Sequence, residues 1–376
     1  MKQLKVLLAQ LNSNGDCLYA TVIARQIKEV DHPGCHLTWA VNKQSLPSIQ
    51  NNPYIDTTWI HPTEKAITNP AEWKKFVALA EQQKTDGAFD VIYYTQVIGN
   101  NLVRLDGRIR PSLYRNYPRP ITVPYIPLIF LYDEEIKRVK KFAEENKLSD
   151  FERVILVECG PESFQLSFNR RSAQAFAARM AEKYPGTAFI LSSGQPIESP
   201  SPQVIDGSVL SFRENAELTK YCDLMIGCGS GITWLSLSSW AKRLPRINII
   251  NDDAMFNTSV AEDQAYCGLE TTDIIEVKEG EQLMNTLDAC FTMLSDESFS
   301  QARATFHTRF QRRNFLYLHW VAKSAFDQWN FTLPVKRYRE AAREYGFSWS
   351  AVWHVMNAYI RLPYYIPRNL IRLLRK

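Results

Sequence analysis

The chain has 376 residues, 45% of them hydrophobic and 22% charged, with a net charge of +4. Those proportions belong to a globular protein with a sizeable core, and the length favours two domains. They exclude a low-complexity or fibrous chain, and the lack of any long uninterrupted apolar run excludes a membrane-spanning helix as an expectation. Seven scattered cysteines with no C-x-x-C pair argue against a disulfide frame or a zinc site and for reduced thiols in the cytosol. The charge is unevenly placed: residues 335–376 hold nine Lys/Arg against two Glu, so the body is near neutral and the end strongly basic.

In chain order, Leu4–Ala9 reads as a buried strand. Its apolar run is short and leads into a glycine turn, Asn12–Asp16, so no signal peptide is expected. Cys17–Val30 has helical periodicity and Pro33-Gly34 stops it; His36–Val41 is the next strand. Strand, turn, helix and strand at this spacing make a βαβ unit with a parallel sheet. Ile55–Ile60 and Phe89–Tyr94 are further strands around a helix at Ala71–Gln83. Arg104–Arg119 reads as a basic loop, Leu131–Lys147 as a charged helix and Leu148–Arg153 as a linker. The β/α pattern resumes with strands at Val154–Cys159 and Ala188–Ser193 around a helix at Ser172–Lys183.

Asp206–Trp240 follows, with a short helix at Asn215–Tyr221, a strand at Asp223–Ile226, a glycine loop at Gly227–Gly231 and a helix from Thr233. A strand that ends in glycines and turns into a helix presents backbone N–H groups to an anion, and phosphate suits it best. The plain alternative is a tight strand-to-helix turn. The loop is neither the dinucleotide fingerprint, since position 232 is Ile, nor a P-loop, nor a nucleophile elbow. Arg246–Ile250 is a strand ending in Asn251-Asp252-Asp253, Leu283–Leu294 is helical, and residues 298–330 read as one or two long helices. The expected organisation is two doubly wound α/β domains, 1–147 and 148–297, then helices at 298–334 that pack back on the body and a basic aromatic tail at 335–376. Ligands of such sheets sit at the carboxyl ends of the strands, here between the two sheets.

Asn14-Gly15-Asp16 at the first helix resembles the Gly-Asp turn of the heptosyltransferase-like glycosyltransferases, glycosyltransferase family 9. LTKYCDLMIGCGSGITWL resembles the same family's segment of leucine-rich helix, strand and glycine loop, and Pro185-Gly186 before AFILSSG resembles a strand entry of its second domain. The resemblance spans roughly residues 4–250. It implies the GT-B fold and an inverting transferase without metal or other cofactor. The second domain would hold a nucleoside-diphosphate sugar and the first a glycan acceptor. It casts Asp16 as general base and Gly227, Gly229, Ser230, Gly231 and Thr233 as the diphosphate loop. Where some members use a lysine near phosphate, this chain has PESFQLSFN, so Ser163 or Gln165 would substitute. The family's Asp and His in the loop are Gly229 and Trp234 here, which weakens any inference that the donor sugar is heptose.

From the residues alone, Asp16 is either a helix N-cap carboxylate or a base facing a cleft. Asp252 and Asp253 would cap a helix or bind sugar hydroxyls. Arg104, Arg108 and Arg110 would be a solvated surface or, with Asn14, contacts to acidic groups of the acceptor. No Asp-x-Asp occurs, so no metal–diphosphate site is expected. Basic residues interleaved with Trp and Tyr in 335–376 suit either an anionic membrane surface or a basic helical cap packed on the body, and no RNA-binding motif accompanies them, so nucleic acid is not expected. The expected activity is hexosyl or heptosyl transfer to a lipopolysaccharide, or another lipid-linked or cell-surface glycan, by a cytoplasmic and peripherally membrane-bound enzyme. The alternatives are a nucleotide-sugar 2-epimerase of the same fold and a non-catalytic sugar-nucleotide or glycan-binding protein.

Overall fold

The computed structural model describes residues 3–62, 69–160, 166–198 and 201–363. Ser163, Gln165 and the end of the basic tail lie outside the described residues.

The first half is a four-stranded sheet. Its elements are β1 (Lys5–Ala9), α1 (Asn14–Gln26), β2 (His36–Asn42), β3 (Thr57–His61), α2 (Pro70–Thr85) and β4 (Val91–Tyr94). All pairings are parallel and the strand order is β3-β2-β1-β4. β1 and β2 are buried almost throughout, as central strands covered on both faces must be, which is why their sequences are unbroken apolar runs. α3 (Ile109–Asn116) completes this half, while α4 (Asp133–Glu145) packs its buried Val139, Phe142 and Ala143 in the core of the second sheet.

The second sheet has six parallel strands in the order β10-β9-β8-β5-β6-β7. In chain order it runs β5 (Arg153–Glu158), α5 (Arg170–Lys183), β6 (Thr187–Ser192), β7 (Val204–Asp206), α6 (Glu214–Leu218), β8 (Leu224–Gly227), α7 (Gly231–Leu235), β9 (Arg246–Ile250), α8 (Val260–Tyr266), β10 (Ile274–Lys278) and α9 (Leu283–Asp296). Winding proceeds outward from β5 on one side, then returns to β8 beside β5 and proceeds outward on the other. The switch between β5 and β8 opens a crevice at their carboxyl ends.

α10 (Phe299–Phe306) stays on the second sheet, and α11 (Leu316–Asp327) crosses back to the first half. There Ser324 Oγ donates to the Gly99 carbonyl at 2.8 Å, and Gln328 Nε2 to that of Asn100 at 3.0 Å. α12 (Leu333–Tyr345) and α13 (Trp349–Ile360) pack on α11. The halves are also clamped directly. Arg213, nearly fully buried at the head of α6, donates to the carbonyls of Pro47 at 2.8 Å and Gln50 at 3.1 Å and pairs with Glu135 at 2.7 Å.

One local expectation changes and two are filled in. Arg104–Arg119 is not simply a loop, because α3 lies within it. Pro111 falls in the first turn, where its missing N–H costs nothing, and Leu113 and Tyr114 are buried beside α1. Residues 298–330 are two helices separated by an extended stretch at 307–315. β7, β10 and α8 escaped the sequence reading; β7 has three residues, too few to show a period. All seven cysteines are free and six are buried. Among the described residues no helix is long and apolar enough to cross a membrane.

Candidate active site

A cleft of about 2400 Å³ runs between the two sheets, lined by the turn after β1, the loop after β8 and the incoming face of α11. On the first wall β1 ends at Ala9 and the chain turns through Asn12 and Ser13 into α1. Gln96 holds that turn, its side-chain oxygen accepting from the N–H groups of Leu11 at 3.0 Å and Asn12 at 3.1 Å. Asp16 falls in the first turn of α1 and lines the cleft with its side chain 17% exposed. Burial raises its pKa above the usual carboxylate value, against the opposing pull of Arg110 and of Ser13. Arg110 Nε stands 3.8 Å from the Asp16 carboxylate. Asn14 also lines the cleft, and its side-chain oxygen accepts from Ser48 Oγ at 3.3 Å.

On the second wall, Gly229, Ser230 and Gly231 line the cleft, but Gly227 and Thr233 do not. Gly229 has φ +66°, and a Cβ there would stand 3.0 Å from the Thr258 carbonyl oxygen, so glycine is required on both counts. Gly227 lets Thr233 fold back beneath the loop: a Cβ at 227 would meet Thr233 Oγ1 at 2.4 Å.

Glu158 alters the reading of this loop. It ends β5, is 2% exposed, and inserts its carboxylate into the glycine loop across the β5–β8 switch. Oε2 accepts from the Cys228 N–H at 2.8 Å and Thr233 Oγ1 at 2.6 Å. Oε1 accepts from Ser230 Oγ at 3.0 Å and from the N–H groups of Ile232 at 2.9 Å and Thr233 at 3.3 Å. The head of α7 thus holds an anion, but that anion is the chain's own carboxylate, and the innermost donors expected to meet a phosphate are already satisfied. The N–H groups of Gly229, Ser230 and Gly231 are not among those that Glu158 engages. Thr233, expected at the diphosphate, is instead a buried partner of Glu158. The signal was an acidic residue near the end of an otherwise apolar strand, VILVEC.

Trp234 joins the walls. It is fully buried, its Nε1 donates to the Gly229 carbonyl at 2.8 Å, and the Arg110 guanidinium carbon lies 4.1 Å from its ring centroid. A Cβ on Gly15 would stand 3.1 Å from Trp234 Cδ1, so Gly15 admits the indole against α1. Cation and ring attract each other through the ring's quadrupole, which holds Arg110 where it meets Asp16.

Of the three arginines expected at the acceptor, only Arg110 lines the cleft. Arg108 pairs with Asp106 at 2.6 Å and with Glu344 of α12 at 3.4 Å. Arg104 donates to the Arg115 carbonyl. Asp252 and Asp253 also face elsewhere. Asp252 accepts from the Gln311 N–H at 2.7 Å and pairs with Lys278 at 2.9 Å, anchoring the stretch that carries α11 across; Asp253 is exposed, 3.8 Å from Arg313. Arg104 is tied back to Arg115, whereas Arg108, Asp252 and Asp253 each take a partner from the C-terminal segment. That same segment brings Trp320 and Lys323 of α11 to the cleft, which the sequence reading missed.

Behind Arg110, Asp263 of α8 is buried, and neither of its oxygens has a hydrogen-bond partner among the described residues. Burial pushes its pKa up to about 7, against the lowering by Arg110 and Arg108, while Asp106 and Glu262 push it further up. The folded state therefore keeps a proton that the unfolded chain releases near pH 4, so this group's contribution to stability declines as pH rises from about 4 to about 7. The full loss is on the order of 4 kcal/mol. Asp263→Asn is expected to stabilise the protein relative to wild type by an amount that grows between pH 5 and pH 8 in thermal melts. An equal difference at both pH values would refute the assignment.

No family model matches the sequence, and no curated protein does. Solved structures are similar. A glycosyl transferase family 9 protein from Veillonella parvula DSM 2008 superposes with a TM-score of 0.53 over 88% of this chain and 97% of that one, at 12% identity. E. coli ADP-heptose lps heptosyltransferase II follows at TM-score 0.47 and 11% identity, covering 78% of this chain and all of its own. E. coli heptosyltransferase WaaC, solved with ADP, gives 0.44 and 13%, covering 79% of this chain and 99% of that one. At such identity the Veillonella likeness concerns the fold: two Rossmann-like domains in the GT-B arrangement, with which the two parallel strand orders agree.

Proposed function

We propose that the protein is an inverting glycosyltransferase that moves a sugar from a nucleoside-diphosphate donor to a hydroxyl of a glycan. The observation that carries this reading is Asp16: a largely buried carboxylate of raised proton affinity, braced by Arg110, on the cleft wall opposite the glycine loop. Asp16 takes the proton as the acceptor oxygen attacks the anomeric carbon from the face opposite the diphosphate. The bond from that carbon to the diphosphate oxygen breaks, and the leaving group departs with the electron pair. The N–H groups of Gly229, Ser230 and Gly231 receive the developing charge. Asn14 and Arg110 are placed to meet the acceptor. Ser192 at the end of β6, Ser193 after it and Ser208 after β7 line the same cleft and are placed to meet the donor. The acceptor class, lipopolysaccharide or another lipid-linked glycan, and a cytoplasmic location rest on the sequence resemblance and the scattered thiols.

Incubation of purified protein with nucleotide-sugars, with and without acceptor, tests the reading. Transfer with inverted anomeric configuration, insensitive to EDTA, is expected. Donor conversion without acceptor would instead indicate an epimerase, and loss of turnover in EDTA would overturn metal independence. The occupancy of the α7 head by Glu158 favours one second reading, a sugar-nucleotide-binding protein without transfer. It expects nucleotide to raise the melting temperature with no turnover of any donor.

A further inference from the structure

α13 buries Ala351, Val355 and Ala358 against the body and turns Trp349, Trp353, Met356 and Ile360 outward. Those four recur at intervals of four, three and four residues, so they form one stripe on the helix. Exposure runs from 52% at Met356 to 77% at Trp349. Phe347 prolongs the stripe past the helix start, its ring meeting that of Trp349 edge-on at 5.0 Å. Single exposed apolar residues are ordinary, whereas a continuous stripe with two indoles marks a contact surface.

α12 lies beside it and supplies charge. It buries Pro334 and Ala341 and exposes Lys336, Arg339 and Arg343, again on one face. Both helices seat their buried faces on the core around α11, so both exposed faces point away from the body. The acidic residues of α12 are engaged: Glu340 with Arg337 at 2.6 Å and Glu344 with Arg108 at 3.4 Å. Lys336, Arg339, Arg343 and Arg361 pair with no carboxylate among the described residues. Beyond the described residues the sequence adds Arg368, Arg372, Arg375 and Lys376 and no acidic residue.

We propose that the α12–α13 face docks on the surface of an anionic phospholipid bilayer. The indoles, Met356 and Ile360 enter the headgroup boundary, where a ring that is apolar in body and polar at one edge is at home. The cationic stripe meets lipid phosphates. Charge selects the bilayer over a second copy of the chain, because a face-to-face dimer would set these cations against their own duplicates with no free carboxylate between them. The inference goes beyond the proposed reaction and does not depend on it.

The test uses the full chain, sedimented with vesicles of phosphatidylcholine alone or mixed with phosphatidylglycerol. Binding to the mixed vesicles only, weakened by salt, is expected. The double variant Trp349→Ser/Trp353→Ser and the triple variant Lys336→Glu/Arg339→Glu/Arg343→Glu should each weaken it by about tenfold or more with unchanged melting temperature, since all five side chains are exposed. Wild-type protein left in the supernatant would overturn the proposal. So would variants that bind as well as wild type, which would assign any binding to another surface. Self-association of wild type that the indole variant abolishes, without vesicle binding, would assign the face to a second copy. Nucleotide-induced thermal shifts measured on the same variants are expected to match wild type, so failure on vesicles leaves the catalytic reading untouched.

Discussion

Asp16→Asn is expected to lower kcat by about 10²–10⁴-fold while leaving KM for the donor and the melting temperature near wild type. Asparagine keeps the size of the side chain and a polar contact for Arg110, 3.8 Å away, but cannot accept the acceptor's proton at neutral pH. In the proposed arrangement the donor contacts come from the other wall, so donor affinity is not at stake. The pH profile adds a second readout. A general base works unprotonated, so kcat/KM should rise with pH through the Asp16 pKa, which burial displaces upward, and this limb should vanish in Asp16→Asn. Because Arg110 lowers that pKa, Arg110→Ala should move the limb to higher pH. Unchanged turnover in Asp16→Asn would remove Asp16 from the mechanism; an unchanged limb would leave it a structural carboxylate at the head of α1.

Glu158→Ala and Glu158→Gln are expected to separate the stability of the glycine loop from its affinity for anions. The alanine variant strands three N–H groups and two hydroxyls that now share one carboxylate. Each buried donor left without a partner costs about 1–3 kcal/mol. Relaxation and water entering from the cleft recover part of that, so a net loss on the order of 3–5 kcal/mol is expected from denaturant unfolding. The glutamine variant keeps an acceptor oxygen and the packing, so it should lose less. It also removes the negative charge facing any phosphate at Gly229–Gly231. Nucleoside diphosphate affinity should therefore rise by about tenfold or more, a modest fraction of the repulsion between two anions at close range in a partly shielded cleft. Calorimetric titration of the glutamine variant reads this directly. Lower or equal affinity would mean that donor phosphates do not approach the glycine loop, and the diphosphate site would have to be sought elsewhere in the cleft.

The alternation of buried strands and helices, the parallel sheets, the two-domain plan and the two strand-to-helix turns that face the cleft are all written in the chain's local pattern. Each of these is written in contiguous residues: an apolar run of strand length, a glycine where the backbone must turn tightly, a helical period after it. Asp16 and Gly229–Gly231 were legible for that reason. What the tertiary structure decided is which side chains complete each turn. Glu158 and the loop it fills are 70–75 residues apart in sequence and meet only because β5 and β8 are neighbours at the switch of the second sheet. Arg110 faces Asp16 while Arg108 turns to Asp106 and α12, a choice set by the roughly half-turn between positions two apart at the head of α3 and by what packs on either side. Asp252 went to the returning C-terminal segment and not to the cleft, because that segment crosses the end of β9 on its way to the first half. A charge buried at long range has no periodic signature, since its position answers to a partner elsewhere in the chain and not to its neighbours in sequence.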